Sequence, residues 1–206
     1  MTRESKFRLD KIFKSHCRSR DNFLSRVFGI FNEEVVRCWC RCSQAKYEDL
    51  GRPVIRLQGE RHPAVLDFTF KSRPDGRVYV GEMKCEMAFE NYKYLVLSSP
   101  AKLDHHLKYS KKAFSRFLDI ASGSTQYAVT VKGQEAAVSG SILVWGSITD
   151  DGRRAVMEKY KLADVLSLEC MISDLLDWED QAYIALIREK SQWCREMYDG
   201  LSDAAK

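Results

Sequence analysis

The segment from Leu66 to Glu86 constrains this chain more than any other. Two runs rich in β-branched and aromatic residues, Ala64 to Phe70 and Arg77 to Cys85, flank the tetrapeptide Arg73-Pro74-Asp75-Gly76. Such runs suit a pleated surface, and proline at the second and glycine at the fourth position mark a type I turn, so a β-hairpin is predicted. Side chains i and i+2 on a strand share a face. Glu82 and Lys84 therefore point the same way as Val78 and Val80, while Met83 and Cys85 point the other way. The hairpin carries Asp67 alongside them. Two carboxylates and an ammonium at one spot are costly to desolvate unless paired, and a divalent cation pairs with them.

Everything then turns on register. A two- or four-residue loop sets Asp67 opposite Glu82, whereas a type I turn with a glycine bulge shifts the pairing by one residue and puts Asp67 beside Met83 on the wrong face. A shared centre requires the former register, or a further bulge near the motif. The plainer alternative is a solvent-exposed ladder of Glu82, Lys84 and Glu86. A face that begins apolar at Val78 and Val80 and ends charged fits a cleft edge better.

Around the hairpin, a helix is predicted from about residue 21 to 47, with Asp21 as cap and Phe23, Val27, Phe31, Cys38 and Cys42 on one face, which Glu34 shares. Pro53 to Gln58 reads as a strand after the Gly51-Arg52-Pro53 break. Ser98 or Ser99 followed by Pro100 starts a helix running to about Ala121, with Leu103, Leu107, Phe114 and Phe117 or Leu118 as its core stripe. Gln126–Val131 and Ser141–Thr149 read as strands, Asp150-Asp151-Gly152 as a turn, and about Leu162 to Leu201 as helical with an interruption near Asp177. This order predicts an α/β protein with a mixed sheet flanked by helices, as a single domain overall. Residues 1–150 form its α/β core with a basic N-terminal segment. Residues 151–206 form a C-terminal helical extension packed on that core.

The 206 residues carry a net charge of +4, too little by itself to require a polyanionic partner. Lysines and arginines nevertheless cluster at 3–20 and at 102–116, where Lys102, Lys108, Lys111, Lys112 and Arg116 are candidate phosphate contacts; solvated helix faces look the same. No apolar run approaches the roughly 20 residues that cross a bilayer, and the polar, basic start points to a cytoplasmic chain with no membrane partner. Seven cysteines, an odd number, suit reduced thiols. Cys38, Cys40 and Cys42 alternate within a predicted helix and so spread around its axis, which disfavours a zinc site.

Hydrolysis of a phosphodiester needs an activated water, a polarised phosphate and a stabilised leaving alkoxide, and carboxylate-held Mg²⁺ or Mn²⁺ serves all three. Asp67 would be the central ligand, Glu82 the second and the main-chain carbonyl of Met83 the third, with Lys84 orienting the water.

Asp67, the strand Glu82-Met83-Lys84, the preceding helix and the helix and strand that follow resemble the PD-(D/E)xK nuclease superfamily over about residues 21 to 149. The resemblance implies a restriction-endonuclease-like fold, with a mixed central β-sheet flanked by helices. It also implies a DNA endonuclease with Asp67, Glu82 and Lys84 as its catalytic set. An acid on the first helix often completes that set, and Glu34 fits better than Glu33 because it lies on the core stripe. Leu66 stands where the family has proline, and Glu86 adds a charge to the face of Glu82. The alternative is a catalytically inactive nuclease-fold module that binds nucleic acid or mediates assembly. Cutting two strands commonly takes a homodimer, expected here through the C-terminal helices.

Overall fold

A computed structural model describes residues 18–57, 59–85, 87–88, 93–107 and 112–203. Helix α1 (Arg18–Arg41) opens the chain. It is followed by β1 (Tyr47–Asp49), β2 (Pro53–Leu57), β3 (Ala64–Val65), β4 (Phe68–Ser72) and β5 (Val78–Lys84). Short strands β6 (Met87–Ala88), β7 (Lys93–Tyr94) and β8 (Val96–Leu97) precede α2 (Pro100–Leu107) and α3 (Lys112–Ala121). Then come β9 (Tyr127–Val131), β10 (Gln134–Glu135), β11 (Ser141–Trp145), β12 (Ser147–Ile148), α4 (Asp150–Tyr160), β13 (Asp164–Ser167), α5 (Leu168–Asp177) and α6 (Gln181–Asp203).

The protein is α/β, as expected. Its main sheet has the order β1-β4-β5-β11-β13, antiparallel through β5 and parallel from β5 to β13, and a second antiparallel sheet has the order β10-β9-β2-β3. The chain passes between the two sheets at Leu66 and Asp67. Leu66 N donates to Pro53 O of the small sheet at 3.2 Å, and Asp67 N donates to Gly81 O of the large one at 3.2 Å.

Strand alternation divides the core into two. Phe68, Phe70, Tyr79, Ile142 and Val144 face α1 and α5, while Val80, Leu143, Trp145 and Val165 face α3 and α4. Phe70 fills the space over Gly81, where a Cβ would come 2.8 Å from its Cδ2. Among the described residues no helix is long and apolar enough to cross a membrane.

Four expectations need correction. The first helix, expected to run to about residue 47, ends at Arg41, and Tyr47–Asp49 form an edge strand paired with β4. Its most deeply buried stripe is Asn32, Val35, Val36 and Trp39, spaced by three and four residues; of the expected stripe, Cys38 is buried and Phe31 and Cys42 pack partly buried against the core, whereas Phe23 and Val27 are exposed. Asp150 to Gly152 is no turn but the first turn of α4. Thr149 caps that turn by accepting from Gly152 N at 3.0 Å, and the two aspartates favour the positive end of the helix dipole. The segment beyond residue 150 is more than a helical extension, because β13 lies parallel to β11 in the main sheet.

Candidate active site

The loop from Arg73 to Gly76 has four residues. Ser72 N donates to Arg77 O and Gly76 N donates to Ser72 O, each at 2.8 Å, with Gly76 at φ 72°. Asp75 Oδ1 accepts from Arg77 N at 3.2 Å and fixes the turn. Pairing then runs Lys71 with Val78, Phe70 with Tyr79 and Phe68 with Gly81. One step further, a regular ladder would set Asp67 opposite Glu82.

At that step the ladder does not continue as main-chain pairing. Asp67 N turns to Gly81 O, the carbonyl already opposite Phe68, which is the geometry of a β-bulge. Met83 N, which a regular ladder would pair with Leu66 O, instead donates to Asp67 Oδ2 at 2.9 Å. The aspartate side chain thus replaces a strand partner. Its carboxylate lies at the edge of the hairpin beside β5, where the Met83 carbonyl also points, since the amide and carbonyl of one strand residue face the same side.

Glu82 is 6% exposed and continues the Val80 face. Lys84 Nζ donates to Glu82 Oε1 at 2.6 Å and lies 5.3 Å from the centroid of the Phe114 ring. Burial pushes the Glu82 carboxyl above its usual range; Lys84 opposes this, and the negative charges of Asp67 and Glu33 add to it. Burial also pushes Asp67 up. The Met83 amide pulls it back, Glu33 raises it, and Lys84 and Arg52 lower it. Two carboxyls whose ionised forms stay disfavoured by burial even beside Lys84 and Arg52 would be stabilised as carboxylates by further positive charge.

The helix acid that meets them is Glu33. Its Oε2 accepts from Arg52 Nη2 at 2.7 Å and from Arg37 Nη2 at 2.9 Å, and Arg52 Nη2 lies 3.9 Å from Asp67 Oδ1. Glu34 points elsewhere, to Lys190 Nζ on α6 at 3.1 Å. The two glutamates lie 100° apart on the helix, one on each side of the Val35 and Val36 stripe. Placing Phe23 and Val27 in the core favoured Glu34, whereas the glutamate that the helix brings beside Arg52 and Asp67 is Glu33. Arg37 is the signal that could have marked Glu33, as its i,i+4 partner.

Of the five proposed phosphate contacts, Lys102 and Lys112 are exposed, but Lys112 pairs with Glu60. Arg116 is 3% exposed; its Nη1 donates to Ile55 O at 2.8 Å and its Nη2 pairs with Glu60. It is a buried cross-brace between α3 and β2 and cannot reach a phosphate. Lys108, Lys111 and Glu86 lie outside the described residues, as do residues 3–17 of the basic N-terminal segment.

Among the described residues no three histidine, cysteine, aspartate or glutamate side chains form a group that could hold a metal. A cation here would rest on Asp67 and Glu82, the Met83 carbonyl and water. That donor set suits Mg²⁺, which keeps several waters. The thiols of Cys38, Cys40 and Cys42 are raised, chiefly by burial, and Cys42 is pushed up to about 12 with Asp180 as its hydrogen-bond partner. Comparison with protein-family models, with curated proteins and with solved structures finds no match to this chain.

Proposed function

We propose that this protein is a divalent-metal-dependent nuclease, a DNA endonuclease of PD-(D/E)xK type, with a restriction-endonuclease-like core. The carrying observation is the four-residue register with its bulge, which brings Asp67, Glu82 and Lys84 to one end of a hairpin. Mg²⁺ or Mn²⁺, when bound, supplies the Lewis acid that polarises the phosphate and acidifies a water. Asp67 holds Oδ1 outward because Met83 N occupies Oδ2. Glu82 supplies the second charge from a buried position. Lys84, fixed between Glu82 and Phe114, orients the attacking water and offsets charge developing on the phosphate. Glu33 positions Arg52 beside Asp67.

Incubation of supercoiled plasmid with Mg²⁺ or Mn²⁺ tests this reading. The wild type should nick or linearise it, and Asp67→Ala and Lys84→Ala should each lower the rate by at least about 100-fold, as loss of a charge-stabilising group does. Cutting that survives both substitutions would overturn it.

A second reading, an inactive nuclease-fold module that serves assembly, draws on α6. Ile184, Ile187, Trp193, Met197, Tyr198 and Leu201 are exposed along that helix, which suits association with a second copy. Light scattering of the wild type and of Ile187→Asp/Leu201→Asp tests association. A DNA-binding dimer that never cuts would favour this second reading.

A further inference from the structure

A groove of about 490 Å³ opens between the end of α1, strand β1 and the β9–β10 turn, lined by Arg37, Arg41, Arg73, Lys132, Glu48 and Asp49. Four cations face two carboxylates, and both carboxylates are already engaged. Asp49 Oδ1 accepts from Gly51 N at 3.0 Å and from Thr69 N at 3.2 Å, and Glu48 Oε1 lies 3.2 Å from Lys71 Nζ. Arg73 is braced by donating Nη2 to Cys40 O at 2.8 Å, and its Nη1 lies 3.6 Å from Glu48 Oε2, while Arg37 Nε lies 3.9 Å from Asp49 Oδ2; among the described residues no carboxylate pairs with Arg41 or Lys132, so the unmatched charge of the groove is theirs.

Lys132 occupies an unusual place. It and Gly133 are the two residues of a tight hairpin turn, both at positive φ (50° and 81°), where asparagine, aspartate or glycine is favoured over lysine. A lysine there costs local stability and delivers an exposed ammonium to the groove.

The groove is wired to the candidate active site. Arg37 joins it to Glu33, and through Arg52 to Asp67. Thr69, whose amide holds Asp49, stands two strand residues from Asp67, roughly 7 Å. Arg73, at the far end of the groove, stands six residues from Asp67 along the same strand, roughly 20 Å, so the groove covers about two to six nucleotides of a strand at 3.4 Å each.

We infer that this groove is a subsite for a backbone phosphate of nucleic acid, a few nucleotides along the strand from the phosphate that reacts at Asp67 and Glu82. The identity of the ligand rests on the nuclease reading; the anion preference rests on the groove itself. Arg41 and Lys132 provide the charge, and Arg37 and Arg73 are the rigid donors that orient it.

Binding of a fluorescein-labelled 20-mer duplex is measured by anisotropy in EDTA, so that no cutting intervenes, over a series of salt concentrations. Cutting of the same duplex in Mg²⁺ is measured separately. The double variant Arg41→Gln/Lys132→Asn should weaken binding about 5- to 20-fold and make the log–log salt slope shallower by about 1 to 2. Asparagine suits the turn, so folding is preserved. Arg154→Gln, which removes an exposed charge on α4, is the control and should bind as wild type. Equal loss in the control would mean that net charge alone is at work and would overturn the subsite. A wild type that cuts DNA while the double variant binds unchanged overturns the subsite and leaves the nuclease reading intact. Binding that depends on the groove in a protein that never cuts supports the subsite and overturns the nuclease reading. No binding by the wild type overturns both.

Discussion

The Met83 amide donates to Asp67 Oδ2 at 2.9 Å, so the side chain of one strand residue takes the place of a main-chain acceptor on its neighbour. This bond fixes the orientation of Asp67 before any ligand arrives. It also means that Asp67 is held in place by the backbone of the strand carrying Glu82 and Lys84.

Burial raises both Asp67 and Glu82 above the ordinary carboxylate range. The folded state therefore binds protons that the unfolded state has released. Each group's contribution to stability is greatest at acid pH and falls as pH rises from the unfolded value near 4 through the folded one. Asp67→Asn should thus raise the melting temperature at pH 7. The gain should shrink below pH 4. Mg²⁺ should stabilise the wild type in the same thermal melt and leave Asp67→Asn unmoved.

Glu33 and Glu34 offer an internal control on the site. Glu33→Gln releases Arg52 and Arg37 and should lower the nuclease rate about tenfold, or about 1.4 kcal/mol of barrier. Glu34→Gln breaks the partly exposed contact to Lys190, away from Asp67, and its rate should stay within twofold of wild type. Steady-state rates of the two variants, measured side by side, check the assignment.

Asp164, 1% exposed, accepts from Tyr47 Oη and Lys46 Nζ, each at 2.9 Å, and pairs with Arg153. Burial pushes its carboxyl up, but Arg153, Lys46 and Tyr47 together outweigh that and hold it below its usual value. Its contribution is therefore present above the unfolded pKa near 4 and is lost as pH falls through the lower folded value. Asp164→Asn should cost about 3 kcal/mol in urea unfolding at pH 7, the low end for breaking a buried ion pair, since both cations keep access to water.

Gly81→Ala would drive a methyl into the stacked rings of Phe68 and Phe70, which lie 5.3 Å apart at 21° and are fully buried. The expected loss is about 1–3 kcal/mol, with a drop in cutting because Gly81 directly precedes Glu82. Gly29→Ala, on α1 with open space around it, should instead stabilise by up to about 1 kcal/mol. Chemical denaturation of the two variants tests the contrast.

The hairpin was legible because its chemistry is local. Proline, aspartate and glycine in four residues define a turn, and period-two alternation assigns the faces of Glu82 and Lys84. The bulge at Asp67 was foreseen only as one of several ways to reach the site, since the pull that creates it, the Met83 amide, comes from the other strand. The part of α1 that meets the sheet was misjudged for a similar reason. Phe23 and Val27 are apolar but lie before the stretch of helix that meets the sheet, which packs under Val35, Val36 and Trp39, while Phe31 and Cys38 of the expected stripe do reach the core. Strands β1 and β13, of three and four residues, were missed because such short strands exist only through their neighbours in the sheet. Glu60 and Arg116, 56 residues apart, are invisible to any local pattern, and their pairing turned a supposed surface cation into a core brace.

The crossing between the two sheets gives Asp67 a mechanical position. Glu82 is clamped within the main sheet between β4 and β11, but Asp67 is tied on one side to that sheet and, through the single peptide to Leu66, to the small one. Shear of the small sheet over the large one changes the spacing of the two carboxylates directly. Load placed on β2 and β9 is therefore passed to the site at two points, to Asp67 through Leu66 and to Arg52 through Pro53, which makes the small sheet a lever on the centre.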